Sequence, residues 1–184
     1  RLAAFADFSA SAELARRLRP TDQLPEALDR LAITSEADRL LSVKSEISIG
    51  GALDVRPLIE RARRRAVLAP QELLDVKETL VAGRALRRSL SRMGSQVPML
   101  AQKASLIEEC AHVAAEISRC INDRGEVMDS ASPKLGRIRA ELKIAHDRLL
   151  DKLNRILTSS DNTQFLQEPL VTQRGGRYVI PLKA

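Results

Sequence analysis

Residues 98–122, PMLAQKASLIEECAHVAAEISRCIN, decide how this chain is read. Their apolar members Leu100, Ala104, Ile107, Ala111, Ala114, Ile117 and Ile121 recur in steps of four and three. That spacing places them in one stripe of a helix and gives it a coiled-coil-like seam. One helix over 98–122 would be ~37 Å long. A turn at Asn122-Asp123-Arg124-Gly125 follows, and then Ser132-Pro133, a cap residue followed by proline at the first helical position. The next segment repeats the device with Leu135, Ile138, Leu142, Ala145 and Leu149, drifting to Leu153 and Ile156. Two long helices joined by a short turn region, each with its own seam, are expected to pair antiparallel.

Upstream, the same signals give shorter helices. Residues 2–18 read as an amphipathic helix with Leu2, Phe5, Phe8, Leu14 and Leu18 on its apolar side, stopped by Pro20. A second runs from a cap at Thr21 or Asp22 to about Val43, with Leu24, Leu28, Leu31 and Leu40 as its buried stripe beside small Ala27 and Ala37. Residues 44–53 break the pattern, with a turn at Gly50-Gly51. Asp54 caps a short helix through Pro57, Leu58, Ile59 and Ala62, and Pro70 opens another over 70–91. At the far end, Leu170-Val171-Thr172-Gln173 and Arg177-Tyr178-Val179-Ile180 flank Gly175-Gly176 and read as a β-hairpin. An isolated hairpin is marginal in water, so this one needs a neighbour to lie against. The expected fold is therefore mainly α: an elongated helical bundle with two long antiparallel helices and a C-terminal β-hairpin. A helical core region over 1–97 precedes a lever pair over 98–184.

Composition agrees. Of 184 residues only 2% are aromatic while 29% are charged, a balance that favours long packed helices over a ring-lined pocket. No apolar run reaches the ~20 residues of a membrane span, and no signal peptide opens the chain. Cys110 and Cys120, ten residues apart on one expected helix, would stand about 15 Å from each other, too far for a disulfide. These features point to the cytoplasm. The chain opens on Arg1 rather than Met and reads as a piece of a longer protein.

Chemistry is harder to find. A phosphate loop needs a strand, a glycine-rich turn and Lys followed by Ser or Thr at a helix start. Neither Gly50-Gly51 nor Gly175-Gly176 has that sequel. Cys110 and His112, two apart on a helix, point about 200° away from each other, and zinc wants four convergent ligands. Cys120 and His146 supply no paired spacing. The carboxylates Glu108-Glu109, Asp147 and Asp151 sit among arginines, and Arg137 with Glu141 and Asp151 with Arg155 have the spacing of surface ion pairs. Catalytic, cofactor-binding and metal residues are expected to be absent from this segment.

The net charge of +6 leaves room for an anionic partner. Three clusters could meet one: Arg61, Arg63, Arg64 and Arg65; Arg84, Arg87, Arg88 and Arg92; and Arg148, Lys152 and Arg155. Each is either a solvated face or a phosphate-contacting stripe. The stripe Arg84, Arg87, Arg88 and Arg92 is the better nucleic-acid candidate, because no acid interrupts it along the helix.

Several stretches together resemble the type-two MutS family of bacteria. The most specific runs from Gly125-Glu126-Val127-Met128-Asp129-Ser130 through Ala131-Ser132-Pro133-Lys134-Leu135 to Ile138-Arg139. Gln167-Glu168-Pro169, Val171-Thr172 and Gly176-Arg177-Tyr178-Val179-Ile180-Pro181 with Lys183-Ala184 match about as closely. Looser agreement covers Leu18-Arg19-Pro20, Thr34-Ser35-Glu36-Ala37, Gly50-Gly51, Asp54-Val55-Arg56-Pro57-Leu58 and Leu68-Ala69-Pro70-Gln71-Glu72-Leu73. One departure stands out: Arg64-Arg65 occupies a place where relatives often carry Lys-Gly. The resemblance implies a homodimeric ATPase whose helical core and lever precede a clamp, an ATPase domain and often a C-terminal Smr endonuclease domain. ATP and Mg are implied for that larger protein, not for this segment. Its implied partners are branched DNA, in suppression of recombination, or collided ribosomes. Under this reading the segment itself is no enzyme. The rival readings are an independent basic nucleic-acid-binding module and a helical dimerisation scaffold.

Overall fold

A computed structural model of the protein describes residues 1–6, 8–43 and 50–183. It is mainly helical with a small C-terminal antiparallel hairpin, as the sequence predicts. The chain forms two compact units, Arg1–Met128 and Asp129–Ala184. The expected division at 97/98 falls inside the first of these.

The first unit contains α1 (Ser9–Arg17), α2 (Leu24–Val43), α3 (Arg56–Arg63), α4 (Pro70–Arg92), α5 (Pro98–Ser105) and α6 (Ala111–Cys120). Its spine is α4, which starts on Pro70 with the Glu72 carboxylate accepting the Ala69 N–H at 2.8 Å. Two small cores sit at its two ends. Leu90, near the C-terminal end, packs with Leu40 of α2, Val97 and Ala104 of α5, flanked by Leu86, Met93, Leu100 and Ile107. Leu74, near the N-terminal end, packs with Ile117 of α6 and Ile121, flanked by Leu73, Val76, Val113 and Cys120. The chain therefore runs out along α4 and back along it through α5 and α6.

This corrects the single helix expected over 98–122. The seam residues Leu100, Ala104, Ile107, Ile117 and Ile121 do share a function, since all pack against α4 or the elements beside it, but the backbone breaks between Ser105 and Ala111. Leu106 and Ile107 close tight turns onto Lys103 and Ala104, and Cys110 adopts the left-handed region at φ +38° before α6 begins. An apolar step of four from Ile107 to Ala111 keeps the helical rhythm across the gap, so periodicity alone hides the break.

Two other helices differ from expectation. Residues 2–18 divide into a 3-10 turn, Leu2–Phe5, and α1, and Leu2, Phe5, Leu14 and Leu18 are exposed. On α2, Leu24, Leu28 and Leu31 also face solvent. The packed face keeps Leu40 and Ala37 of the expected stripe and adds Ile33 and Glu36, with Glu36 and Leu40 buried. Because α2 is apolar on both sides, its pattern does not say which side is the core. Asp54, expected to cap α3, stands one residue before the cap position, which is Val55, and its carboxylate accepts the Arg56 N–H at 3.3 Å as part of a wider network. Arg56 donates to Asp54 from Nε at 2.7 Å and reaches Glu13 on α1 at 2.8 Å, while the Ser9 hydroxyl donates to Asp54 at 2.9 Å. The Arg56 guanidinium holds both carboxyls below their ordinary range.

At the end of α3, Arg65 takes φ +62°. The Arg65 N–H bonds the Ala62 carbonyl at 2.8 Å and the Ala66 N–H reaches back to Arg61 at 3.0 Å, a Schellman closure whose left-handed residue is ordinarily glycine. This accounts for the departure at Arg64-Arg65: the arginine occupies a glycine-type conformation. Arg65→Gly is expected to raise stability by about 1 kcal/mol, the cost of a side chain in that region, measured as a higher denaturation midpoint. An unchanged or lower midpoint contradicts the strain.

The second unit holds α7 (Pro133–Thr158), α8 (Ser160–Thr163), β1 (Thr172–Arg174) and β2 (Arg177–Val179). Ser132-Pro133 starts α7 as predicted, although the Ser132 side chain makes no capping bond. Arg139 ties α7 to Asp129 at 2.7 Å. Gly175 and Gly176, at φ +53° and +77°, make the two-residue turn that brings Arg174 opposite Arg177. The hairpin finds the neighbour it needs within its own unit. Its legs return to 165–167, where the Lys183 N–H bonds Phe165 at 2.9 Å and the Gln167 N–H bonds Pro181 at 3.1 Å. The Tyr178 hydroxyl lies 3.4 Å from His146 Nδ1 of α7.

Candidate nucleic-acid interface

Arg84, Arg87, Arg88 and Arg92 lie at three- and four-residue steps on α4, and so on one face. The structure divides them. Arg87 donates from Nη1 to the Ile107 carbonyl at 2.6 Å, satisfying an acceptor left over by the break after α5. Arg84 Nε stands 3.2 Å from a Glu109 carboxylate oxygen. The acid missing along α4 thus arrives from a distant part of the sequence. Arg88 and Arg92 remain exposed, and with Arg87, Ser91 and Glu109 they line an open groove of about 600 Å³. Two of the four cations brace the fold, and two are presented to solvent.

The cluster after α3 is also partly engaged. Arg61 pairs with Glu72 and Arg63 with Glu60. On α7 the situation reverses. Arg148, Lys152 and Arg155 are exposed and have no ion-pair partner among the described residues. The surface pairs expected between Arg137 and Glu141, and between Asp151 and Arg155, do not form. On a long exposed helix such side chains gain too little from pairing to give up their freedom.

The sulfur and imidazole groups do not converge. Cys110 precedes α6, Cys120 ends it, and both thiols are free. His146 faces Tyr178, and His112 is exposed. Among the described residues no three of His, Cys, Asp or Glu gather to hold a metal ion. Gly175-Gly176 caps two short strands, no helix opens after it, and a Cβ at either glycine would meet open space rather than a cradle. No helix of the described residues is long and apolar enough to cross a membrane.

Sequence reading missed one residue that organises the junction of α2 with α5. Glu36 of α2 is only 4% exposed, and its two carboxylate oxygens accept the N–H groups of Met99 at 3.2 Å and Leu100 at 3.0 Å. It caps α5 from a different helix. Its only signal was membership of the Thr34-Ser35-Glu36-Ala37 stretch.

Comparison with known proteins places the chain. No protein-family model matches it. It is 39% identical over 186 residues to the Endonuclease MutS2 of Thermomicrobium roseum, a match spanning 100% of this chain and 23% of that protein. It is 38% identical over 173 residues to the Endonuclease MutS2 of Brevibacillus brevis, spanning 93% of this chain and 22% of that protein. The corresponding protein of Pelotomaculum thermopropionicum is 36% identical over 182 residues, 99% of this chain and 23% of the relative. The chain therefore spans less than a quarter of the length of the curated relatives it matches. With identity of this order sustained along its whole length, the chain belongs to the MutS2 family of bacterial proteins.

Proposed function

We propose that this chain is a non-catalytic core and lever segment, coupling an ATPase domain elsewhere in a cytoplasmic, homodimeric protein to a clamp that engages branched DNA or collided ribosomes. The observation that carries the reading is α7, 26 residues of uninterrupted helix and so ~39 Å long. It is tied at one end by Arg139 to Asp129 and closed at the other by buried Leu157 and Leu166. A rod held at both ends transmits displacement rather than absorbing it. The relatives' activity as endonucleases brings in nucleic acid as the substrate class, and we assign the cutting to other parts of such a protein. Arg88 and Arg92 of α4 are the members of the expected stripe left to meet phosphate, while Arg84 and Arg87 brace the segment after α5.

Inserting Gly-Gly between Ala145 and His146 in the full-length protein tests the lever. Nucleotide binding is expected to stay within about twofold of wild type, while its effect on DNA or ribosome engagement is lost, since two glycines and a ~200° change of helical phase destroy the rod. Coupling that survives unchanged sinks the reading. A nucleic-acid-binding module is the second reading, favoured by the exposure of Arg88 and Arg92. Under that reading the insertion leaves nucleic-acid affinity and its dependence on nucleotide as they were.

A further inference from the structure

Transmission asks nothing of the surface of α7, yet that surface is charged in an ordered way. The helix carries seven cations, Lys134, Arg137, Arg139, Lys143, Arg148, Lys152 and Arg155, against three acids, Glu141, Asp147 and Asp151. Arg148, Lys152 and Arg155 stand at i, i+4 and i+7, within about 60° of the helix circumference and over ~10.5 Å of its length. With Ala145, Leu149 and Asp151 they line an open recess of about 460 Å³. Asp151 lies at the edge of the stripe and Glu141 interrupts it upstream, which confines the continuous positive surface to these three residues.

We propose that Arg148, Lys152 and Arg155 form a phosphate-backbone contact for duplex nucleic acid. Three features favour this. The cations are exposed and unpaired, so they bring their charge to a ligand without first breaking an internal bond, unlike Arg84 and Arg87. Their span of ~10.5 Å covers about three phosphate-to-phosphate steps of one strand, at 3.4 Å of axial rise each. And α7 contains no Phe, Tyr or Trp, which removes the main stacking platforms of single-strand binders and the ring anchors of interfacial membrane helices. The inference goes beyond the lever reading and does not depend on it.

Lysine acylation footprinting of the full-length protein, with and without a DNA duplex of about 30 base pairs, reads the contact directly. Lys152 is expected to lose reactivity several-fold when duplex is added at low salt. Lys143, ~180° round the same helix from Lys152, should not change. The triple variant R148Q/K152Q/R155Q should lower the slope of log affinity against log salt by about 2 to 3, roughly one per lost contact. Equal Lys152 reactivity with and without duplex overturns the proposal. So does a Lys152 already unreactive before duplex is added, which would mean the stripe is covered by protein. Protection by phosphatidylglycerol vesicles but not by duplex overturns it in favour of a membrane surface. A lost lever function leaves the footprint unaffected, so the two readings fail separately.

Discussion

Replacing Glu36 by alanine is expected to cost about 2 to 4 kcal/mol of folding stability, an effect out of proportion to the loss of one acidic residue. The reason lies at the start of α5. Helices leave their first N–H groups without internal partners, and the residue at the cap position ordinarily supplies an oxygen. Here that residue is Val97, which has none, and Pro98 follows without an N–H of its own. The Met99 and Leu100 N–H groups point at the Glu36 carboxylate instead. Removing it strands both donors in a partly buried place and strips the favourable negative charge from a helix N-terminus. Urea denaturation should order stability as wild type, then Glu36→Gln, then Glu36→Ala, with the glutamine losing about half as much as the alanine because it keeps one acceptor oxygen. A loss under about 0.5 kcal/mol in the alanine variant would rule out the cap.

Leu74→Ala is expected to cost about 3 kcal/mol, and Leu90→Ala a similar amount. Each removes the centre of a core that contains only three or four buried side chains, so the lost contacts cannot be shared among many neighbours. The informative result is the double variant. Leu74 and Leu90 are 16 positions apart on one helix, ~24 Å, and the two clusters have no residue in common. Their costs should therefore add to within about 0.5 kcal/mol. A coupling above about 1 kcal/mol would show that the two ends of α4 communicate, which the separate clusters deny.

Sequence reading succeeded where local chemistry decides. Pro70, Pro98 and Pro133 each begin a helix, Asn122 to Gly125 turn, and Gly175-Gly176 close a hairpin, because proline fixes φ and glycine enters positive φ without strain wherever they stand. It faltered where the deciding partner lies far along the chain. The break after Ser105 is stabilised by Arg87, some twenty positions upstream, so nothing in 98–122 announces it. Leu24, Leu28 and Leu31 look like one core stripe with Leu40 until Ile33 and Glu36 are seen to pack beside Leu40 in their place. The arginine stripe on α4 was legible as a stripe. That half of it serves the fold was not, since Glu109 and the Ile107 carbonyl enter only through tertiary structure.

The cap on α5 also sets which positions are free to drift. Glu36 is read by backbone amides, and every residue but proline has one. Position 99 can therefore accept many side chains without disturbing the junction, while position 36 is held to a carboxylate of that reach. Among homologous chains, that asymmetry would appear as variety on the side that donates and constancy on the side that accepts.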